Sequence, residues 1–320
     1  MLNLLLSFLL QIYSVSVSNG YSQTRQNFMI DSSNVRSLGR YTYDGALSSF
    51  IISDTIEYVC SGAGLYILNI SNPALPLKLN EIQTFDIIFN YSYDSCFLLT
   101  AMNKGGVVLY NISDPVNPIL VSQYITPDLA LGVHFVNRTA FVAAYTSGLR
   151  IIDYSNPFVP VEIGNFMSGN IDAMDVCVQG NYAYLANGIY GFKIINIANP
   201  STPWEVSSYL PSQISRARDI YIKDDTFAFV TWGEVTGTWS GVTIFNVANP
   251  AQMLLLNSIS AIYPMEVDIQ NKNIYIAADK VKIVNISDPS NPILLSELNI
   301  RGRFLSLSSS LLCLSIAFFL

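Results

Sequence analysis

A chain of 320 residues, 51% of them hydrophobic and 12% charged, carries ample material for a core and is no disordered segment. Its 16 basic and 23 acidic side chains leave a net charge of −7, and no Lys/Arg run offers a footprint for a phosphate backbone, so a nucleic-acid partner is excluded. Length alone leaves one domain or two open; internal repetition decides between them.

At the amino terminus, residues 2–13 (LNLLLSFLLQIY) form an apolar run, and Ser16-Val17-Ser18 offers a small-x-small cleavage site before Asn19. Residues 1–18 therefore read as a signal peptide and the body as exported, although the missing Lys/Arg before the apolar run leaves an uncleaved anchor as the alternative. A short segment, 19–27, separates this leader from a single domain over 28–320, whose last residues, 318–320, read as a frayed end.

From residue 64 onward a pattern recurs: GLYILNISNP at 64, GVVLYNISDP at 106, GLRIIDYSNP at 148, GFKIINIANP at 191, GVTIFNVANP at 241 and KVKIVNISDP at 280. The intervals of 42, 42, 43, 50 and 39 residues are too regular for chance. Within a unit, apolar residues alternate with period two, as in ILVSQY (119–124), VHFV (133–136), AFVAAY (140–145) and IIDYS (151–155), which predicts four short strands per unit. The Asn or Asp at 69, 111, 153, 196, 246 and 285 precedes an Asn/Asp-Pro bend, and its side chain is placed to bond the backbone ahead. Units of this length with four strands apiece are the signature of a β-propeller.

The motif G-L-x-I-I-D-x-S-N-P, repeated over residues 28–317, resembles the LVIVD repeat family. That resemblance implies an extracytoplasmic or surface propeller and carries no catalytic residues to transfer. Residues 28–33 (FMIDSS) match one strand of the repeat and 36–41 the strand after it, while ILLSELNI (293–300) and LSLSSSLLCLSIA (305–317) extend the pattern at the other end. The expectation is an all-β, seven-bladed propeller of four-stranded antiparallel blades, its ring closed by N- and C-terminal strands sharing one blade. The apolar carboxyl end reads as a strand of that blade, with the tail of a lipid-anchor signal as the alternative.

Candidate chemistry is sparse. Asp175, Asp219 and Glu266 each stand just before an innermost strand, where converging carboxylates could hold a hard cation such as Ca2+ or could simply form a solvated acidic rim; Asn90 and Gly132 occupy that place in two other units. The long interval comes from an insertion at 232–240 that carries Trp232, Glu234 and Trp239, read either as a ligand contact or as a lid whose rings pack inward. Arg216, Arg218, Tyr190 and Asn187 are neighbours on the same face. The single histidine, His134, sits inside an alternating strand, and no Gly-x-Ser-x-Gly, His-Glu-x-x-His or Cys-x-x-Cys occurs. Cys60, Cys96, Cys177 and Cys313 fall in different units and read as buried free thiols. The expected function is an exported, non-enzymatic propeller presenting a loop face to a protein or glycan at the cell surface, with no cofactor beyond that Ca2+ and no membrane span in the mature chain. The rival is a propeller hydrolase or lyase acting through Asp175, Asp219 and Glu266.

Overall fold

The computed structural model describes residues 10–17, 35–43, 46–53, 55–61, 64–72, 75–167, 169–212, 215–234, 240–299, 304–307 and 311–316. Two strands, β1 (Leu10–Val17) and β2 (Val35–Tyr43), precede the repeats. The first blade is β3 (Ala46–Ser53), β4 (Ile56–Ser61), β5 (Gly64–Asn69) and β6 (Leu77–Gln83); the second is β7 (Asn90–Asp94), β8 (Phe97–Ala101), β9 (Val107–Asn111) and β10 (Ile119–Tyr124). The third is β11 (Gly132–Val136), β12 (Thr139–Ala143), β13 (Leu149–Asp153) and β14 (Val161–Phe166); the fourth is β15 (Asp175–Gln179), β16 (Tyr182–Ala186), β17 (Phe192–Asn196) and β18 (Trp204–Tyr209). The fifth is β19 (Ser215–Lys223), β20 (Phe227–Glu234), β21 (Gly241–Asn246) and β22 (Leu254–Ser260); the sixth is β23 (Glu266–Gln270), β24 (Asn273–Ala277), β25 (Val281–Asn285) and β26 (Ile293–Leu298). β27 (Phe304–Leu307) and β28 (Leu311–Ile316) follow.

The blade count corrects the sequence-based expectation: six antiparallel four-stranded blades form, not seven. The terminal strands instead assemble as β2-β1-β28-β27, in which β1 runs parallel to both β2 and β28, and only β27 and β28 pair antiparallel. This mixed sheet stands between the sixth blade and the first, with β27 beside β23 and β3. Inside a repeat, short hairpins force neighbouring strands to alternate in direction. Strands drawn from opposite ends of the chain have no hairpin to impose that alternation. Residues 28–33, expected to supply a strand there, lie outside the described residues.

The glycine that opens the second, third and fourth repeats has a physical reason. Gly106, Gly148 and Gly191 have φ of 70°, 75° and 89°, and a Cβ at each would lie 2.2, 2.3 and 2.1 Å from the carbonyl oxygen of Tyr124, Phe166 and Tyr209 respectively. Only glycine combines that backbone conformation with that approach. At the other end of the same strand, the Asn or Asp side chain accepts the N–H two residues on in all six repeats, at 2.8–3.1 Å: Asn69 from Ser71, Asn111 from Ser113, Asp153 from Ser155, Asn196 from Ala198, Asn246 from Ala248 and Asn285 from Ser287. These side chains close the bend before proline, as their spacing predicts. Replacing Asp153 with alanine is expected to destabilise the fold by about 1 kcal/mol, through loss of a charge-assisted hydrogen bond, measured by urea denaturation at neutral pH. The Ser155 hydroxyl and N–H hold the Asp153 carboxyl below its ordinary pKa, so wild type and Asp153→Ala should converge as acid protonates it.

Blades are sewn together by bonds between repeats. Asn103 pairs with Ala130, Tyr145 with Ala173 and Gly188 with Ala217, bridges from a turn of one blade to residues just ahead of the next inner strand or, for Ala217, within it. On the rim, Ser122 Oγ donates to the Pro157 carbonyl and Ser207 Oγ to that of Pro250, each at 2.6 Å, and Asn257 Nδ2 reaches the Ser290 carbonyl at 2.7 Å. Between them, alternating apolar residues of facing sheets pack: Leu149 and Ile151 of the third blade share a buried cluster with Val176, Ala183 and Leu185 of the fourth. In all six blades the third and fourth strands slip register at a bulge, which breaks the regular edge the outermost strand would otherwise offer to another sheet.

Candidate functional site at the channel mouth

The inner strands of blades two to six begin around a central channel, and alternation of strand direction puts all these starts on one face. Phe89, Leu131, Met174 and Met265, just ahead of β7, β11, β15 and β23, form a collar with Arg218 of β19. One position deeper stand Asn90, Asp175, Asp219 and Glu266, with Gly132 in the same register. Collar and floor enclose a cavity of about 300 Å3. Below it a second cavity, of about 270 Å3, shares Asn90, Tyr91, Asp175, Asp219 and Glu266 and adds His134, Cys177, Tyr221 and Asp268. The shared residues are therefore a constriction between the two halves of the channel.

The bonds at this constriction cross blades. Asn90 Nδ2 donates to Asp175 Oδ1 at 3.0 Å, from the second blade to the fourth. That reach passes the third blade at Gly132, where a Cβ would sit 2.5 Å from the same Asp175 oxygen. Asp175 Oδ2 accepts the Ile220 N–H at 3.2 Å and Asp219 Oδ2 accepts the Val267 N–H at 2.9 Å, so each carboxyl caps the exposed edge of the next inner strand. In the same way Ser92 Oγ accepts the Phe135 N–H at 2.9 Å. Between the first and second blades, Tyr91 stacks on Phe50 with ring centroids 3.7 Å apart.

Asp175 and Asp219 are hydrogen-bonded to one another, and burial holds both above the ordinary carboxyl pKa. For Asp219 the negative charges of Asp175 and Glu266 add to burial. Two buried carboxyls in contact cannot both ionise readily. Burial, with Asp175 beside it, pushes the Cys177 thiol up to about 12, and burial pulls His134 down to about 4, leaving the imidazole neutral at physiological pH. Because the folded pKa of the pair lies above its unfolded value near 4, the stability it contributes is complete in acid and is lost as pH rises through the folded value. Unfolding free energy should therefore fall from pH 5 to pH 9, and the fall should flatten in Asp219→Asn. A wild-type curve parallel to that of the variant would show that burial does not raise the pair.

The structure places the sequence-derived candidates in different roles. Asp175, Asp219, Glu266 and Arg218 come together at the channel mouth. No group of three His, Cys, Asp or Glu side chains among the described residues gathers as a metal site, these carboxylates included. Trp232 lies in strand β20, not in a turn; it is 1% exposed and packs edge-on against Tyr209. Glu234 ends that strand opposite Ser215, and Trp239 lies outside the described residues. Asn187 is fully buried, accepting the Asp172 N–H at 2.8 Å and donating to the Asn170 carbonyl at 3.3 Å, so it braces its turn, where Tyr190 is half-buried. Arg216 is a partly exposed neighbour of Asp172, at 3.7 Å. Cys60, Cys96 and Cys177 are free thiols, while the side chain of Cys313 lies outside the described residues.

Sequence reasoning missed Phe89, Leu131, Met174 and Met265. They repeat at one position of each unit, directly before the polar floor, and that shared register was the available signal.

The LVIVD repeat family model matches residues 45–84, 97–126, 139–168, 171–210 and 263–299, more than half of the chain. The chain belongs to the LVIVD repeat family. The fifth blade, which carries the insertion, falls outside those matches. Comparison with curated proteins finds no match. Among solved structures, this LVIVD-repeat propeller is similar to U3-55K at TM-score 0.67 and 9% identity, covering 83% of this chain and 86% of that one. It is also similar to the Cps50 (Swd1) β-propeller domain of Myceliophteria thermophila, at TM-score 0.65 and 11% identity over 82% and 89% of the two chains. A third is the WD40 β-propeller domain of Doa1, at TM-score 0.63 and 10% identity over 83% and 86%. At such identities the likeness concerns the fold alone. Among the described residues no helix is long and apolar enough to cross a membrane.

Proposed function

We propose that this LVIVD-repeat propeller is an exported, non-enzymatic binding protein that receives a protein or glycan partner at the channel mouth. The observation that carries this reading is the cavity of about 300 Å3, with a mostly apolar collar that includes Arg218 over a few convergent polar groups. Ligand sites commonly take that form. The insertion on the fifth blade is a weaker support, since Trp232 belongs to the core.

Hydrolysis through Asp175 and Asp219 is the second reading, and their raised pKa favours it, because a carboxyl pair of that kind can act as acid and base. Binding fits better because both carboxyls are already engaged as braces, Asp175 by Asn90 and Ile220 and Asp219 by Val267.

The test is to screen immobilised glycans and peptides with wild type and with Leu131→Trp, which fills the collar. Ligands retained by wild type should be lost from the filled variant. Equal retention by both would place the binding face elsewhere, and turnover of any retained glycan or peptide would favour the hydrolase.

Export is supported by the apolar run at 2–13 and the small residues after it. Cleavage before Asn19 would remove β1 from the terminal sheet. Intact mass of the protein from its native host should then correspond to a chain starting near Asn19; a chain that keeps residues 10–17 would overturn the cleaved leader.

A further inference from the structure

Resting on the reading of the chain as exported, we propose that Asn137 carries an N-linked glycan, on the face of the propeller opposite the channel mouth.

Five Asn-x-Ser/Thr triplets, the acceptor sequence for that modification, occur at Asn69, Asn90, Asn111, Asn137 and Asn285. Their surroundings separate them. Asn69, Asn111 and Asn285 belong to the bend of the repeat, where each side-chain oxygen accepts the N–H two residues on. Asp153 performs the same task in the third blade, and Asn196 and Asn246 perform it with alanine two residues on. The bend therefore needs an oxygen at its first residue and no hydroxyl at its third, so these three triplets are a by-product of turn chemistry. Asn90 lies at the constriction of the channel, its Nδ2 donating to Asp175 Oδ1 at 3.0 Å. A sugar on that nitrogen would fill the channel and displace the bond that crosses it.

Asn137 differs on each count. It is exposed at the tip of the hairpin joining β11 to β12, where Val136 pairs with Thr139 while Asn137 and Arg138 turn the chain at φ of 51° and 61°. Its side chain takes part in no hydrogen bond among the described residues, so a sugar on Nδ2 costs the fold none. Other groups hold the turn: the Tyr154 N–H donates to the Arg138 carbonyl at 2.7 Å, and the Arg138 guanidinium lies 4.3 Å from the centroid of the Phe97 ring on the second blade. Of the five triplets this is also the one completed by threonine, Thr139. Because β11 starts beside the mouth, its hairpin closes on the opposite face. A bulky, hydrated glycan there solvates that face and leaves the mouth open to its partner.

The donor is a lipid-linked oligosaccharide pyrophosphate. Asn137 Nδ2 forms a bond to the anomeric carbon, the bond from that carbon to the pyrophosphate oxygen breaks with its electron pair staying on the leaving lipid pyrophosphate, and the proton that Nδ2 gives up neutralises one charge there. The amide keeps one N–H and its carbonyl and stays neutral.

The experiment takes the full chain from its native host and cuts it at aromatic residues, which releases the stretch between Phe135 and Phe141; trypsin would cut at Arg138, inside the triplet. Peptide N-glycosidase in heavy-oxygen water converts a glycosylated Asn to labelled Asp, which mass spectrometry locates, and the same digest reads the amino terminus. The label is expected at Asn137 and not at Asn90. Asn137→Gly suits the left-handed turn, and Thr139→Val keeps the β-branched shape of the strand residue; each should lose one glycan, seen as a single step in electrophoretic mobility, while Thr139→Ser should keep it. Circular dichroism establishes that these variants are folded.

A chain starting near Asn19 with Asn137 unlabelled overturns the glycan and leaves export standing. A label at Asn69, Asn90, Asn111 or Asn285 in place of Asn137 also overturns the assignment. A chain that keeps residues 10–17 and bears the label at Asn137 supports the glycan and overturns the cleaved leader alone. Absence of both label and cleavage overturns both.

Discussion

Trp232→Ala is expected to lower the free energy of unfolding by about 3–5 kcal/mol, the range for removing a large aromatic side chain from a packed core. Trp232 is 1% exposed and sits among Tyr184, Phe192, Ala217 and Phe245, with the Tyr209 ring 6.1 Å away at 70°. The cavity left behind is walled by strands of two blades, whose backbone bonds limit collapse. Trp232→Phe should cost far less. It keeps most of the ring volume and removes an indole N–H that has no acceptor among the described residues, an orphaned donor worth about 1–3 kcal/mol of penalty. Urea denaturation followed by circular dichroism measures both variants. A loss below about 1 kcal/mol for the alanine variant would mean that the indole is not a core element, and would return it to the surface role its neighbours in sequence suggest.

Gly164→Ala should be the most damaging single methyl addition on the rim. In other blades the position equivalent to Gly164 carries a side chain that bonds the next blade: Ser122 to Pro157 and Ser207 to Pro250. Between the third and fourth blades the Pro200 carbonyl comes closer, and a Cβ on Gly164 would lie 1.8 Å from its oxygen. The obstacle is backbone, so no rotamer relieves it. The two blades must separate, which strains their apolar contact as well; the expected loss is about 3 kcal/mol, at the upper end for overpacking. Thermal unfolding of Gly164→Ala beside Ser122→Ala separates the two effects. The serine variant loses one hydrogen bond, about 1 kcal/mol, and should melt well above the glycine variant. Equal melting temperatures would show that the third and fourth blades do not approach as described.

Local rules governed what could be read without coordinates. Glycine at the head of five of the six repeats and Asn or Asp before the bend act within a few residues or against the adjacent strand of the same blade, so their spacing alone reveals them. Gly148 and Asp153 bracket one strand in this way. The floor carboxyls were legible as a set because Asp175, Asp219 and Glu266 share a register. Their work was not, since it depends on partners far away in sequence: Asn90 reaches Asp175 only because Gly132 has no side chain between them. Trp232 misled for the opposite reason. It adjoins an inserted segment rich in glycine and polar residues, yet β20 runs on past its usual length and carries the ring into the core.

The sequence by itself determined that this protein is a propeller of four-stranded units, because period, turn chemistry and strand alternation all operate within one repeat and recur. Tertiary structure alone decided how many blades form and what the channel contains. Blade number depends on how the two chain ends pair, and no hairpin imposes antiparallel order on β1, β2 and β28. The raised pKa of the floor carboxyls depends on bringing Asp175 and Asp219 together from two blades and burying them, an energy that exists only once the ring has closed.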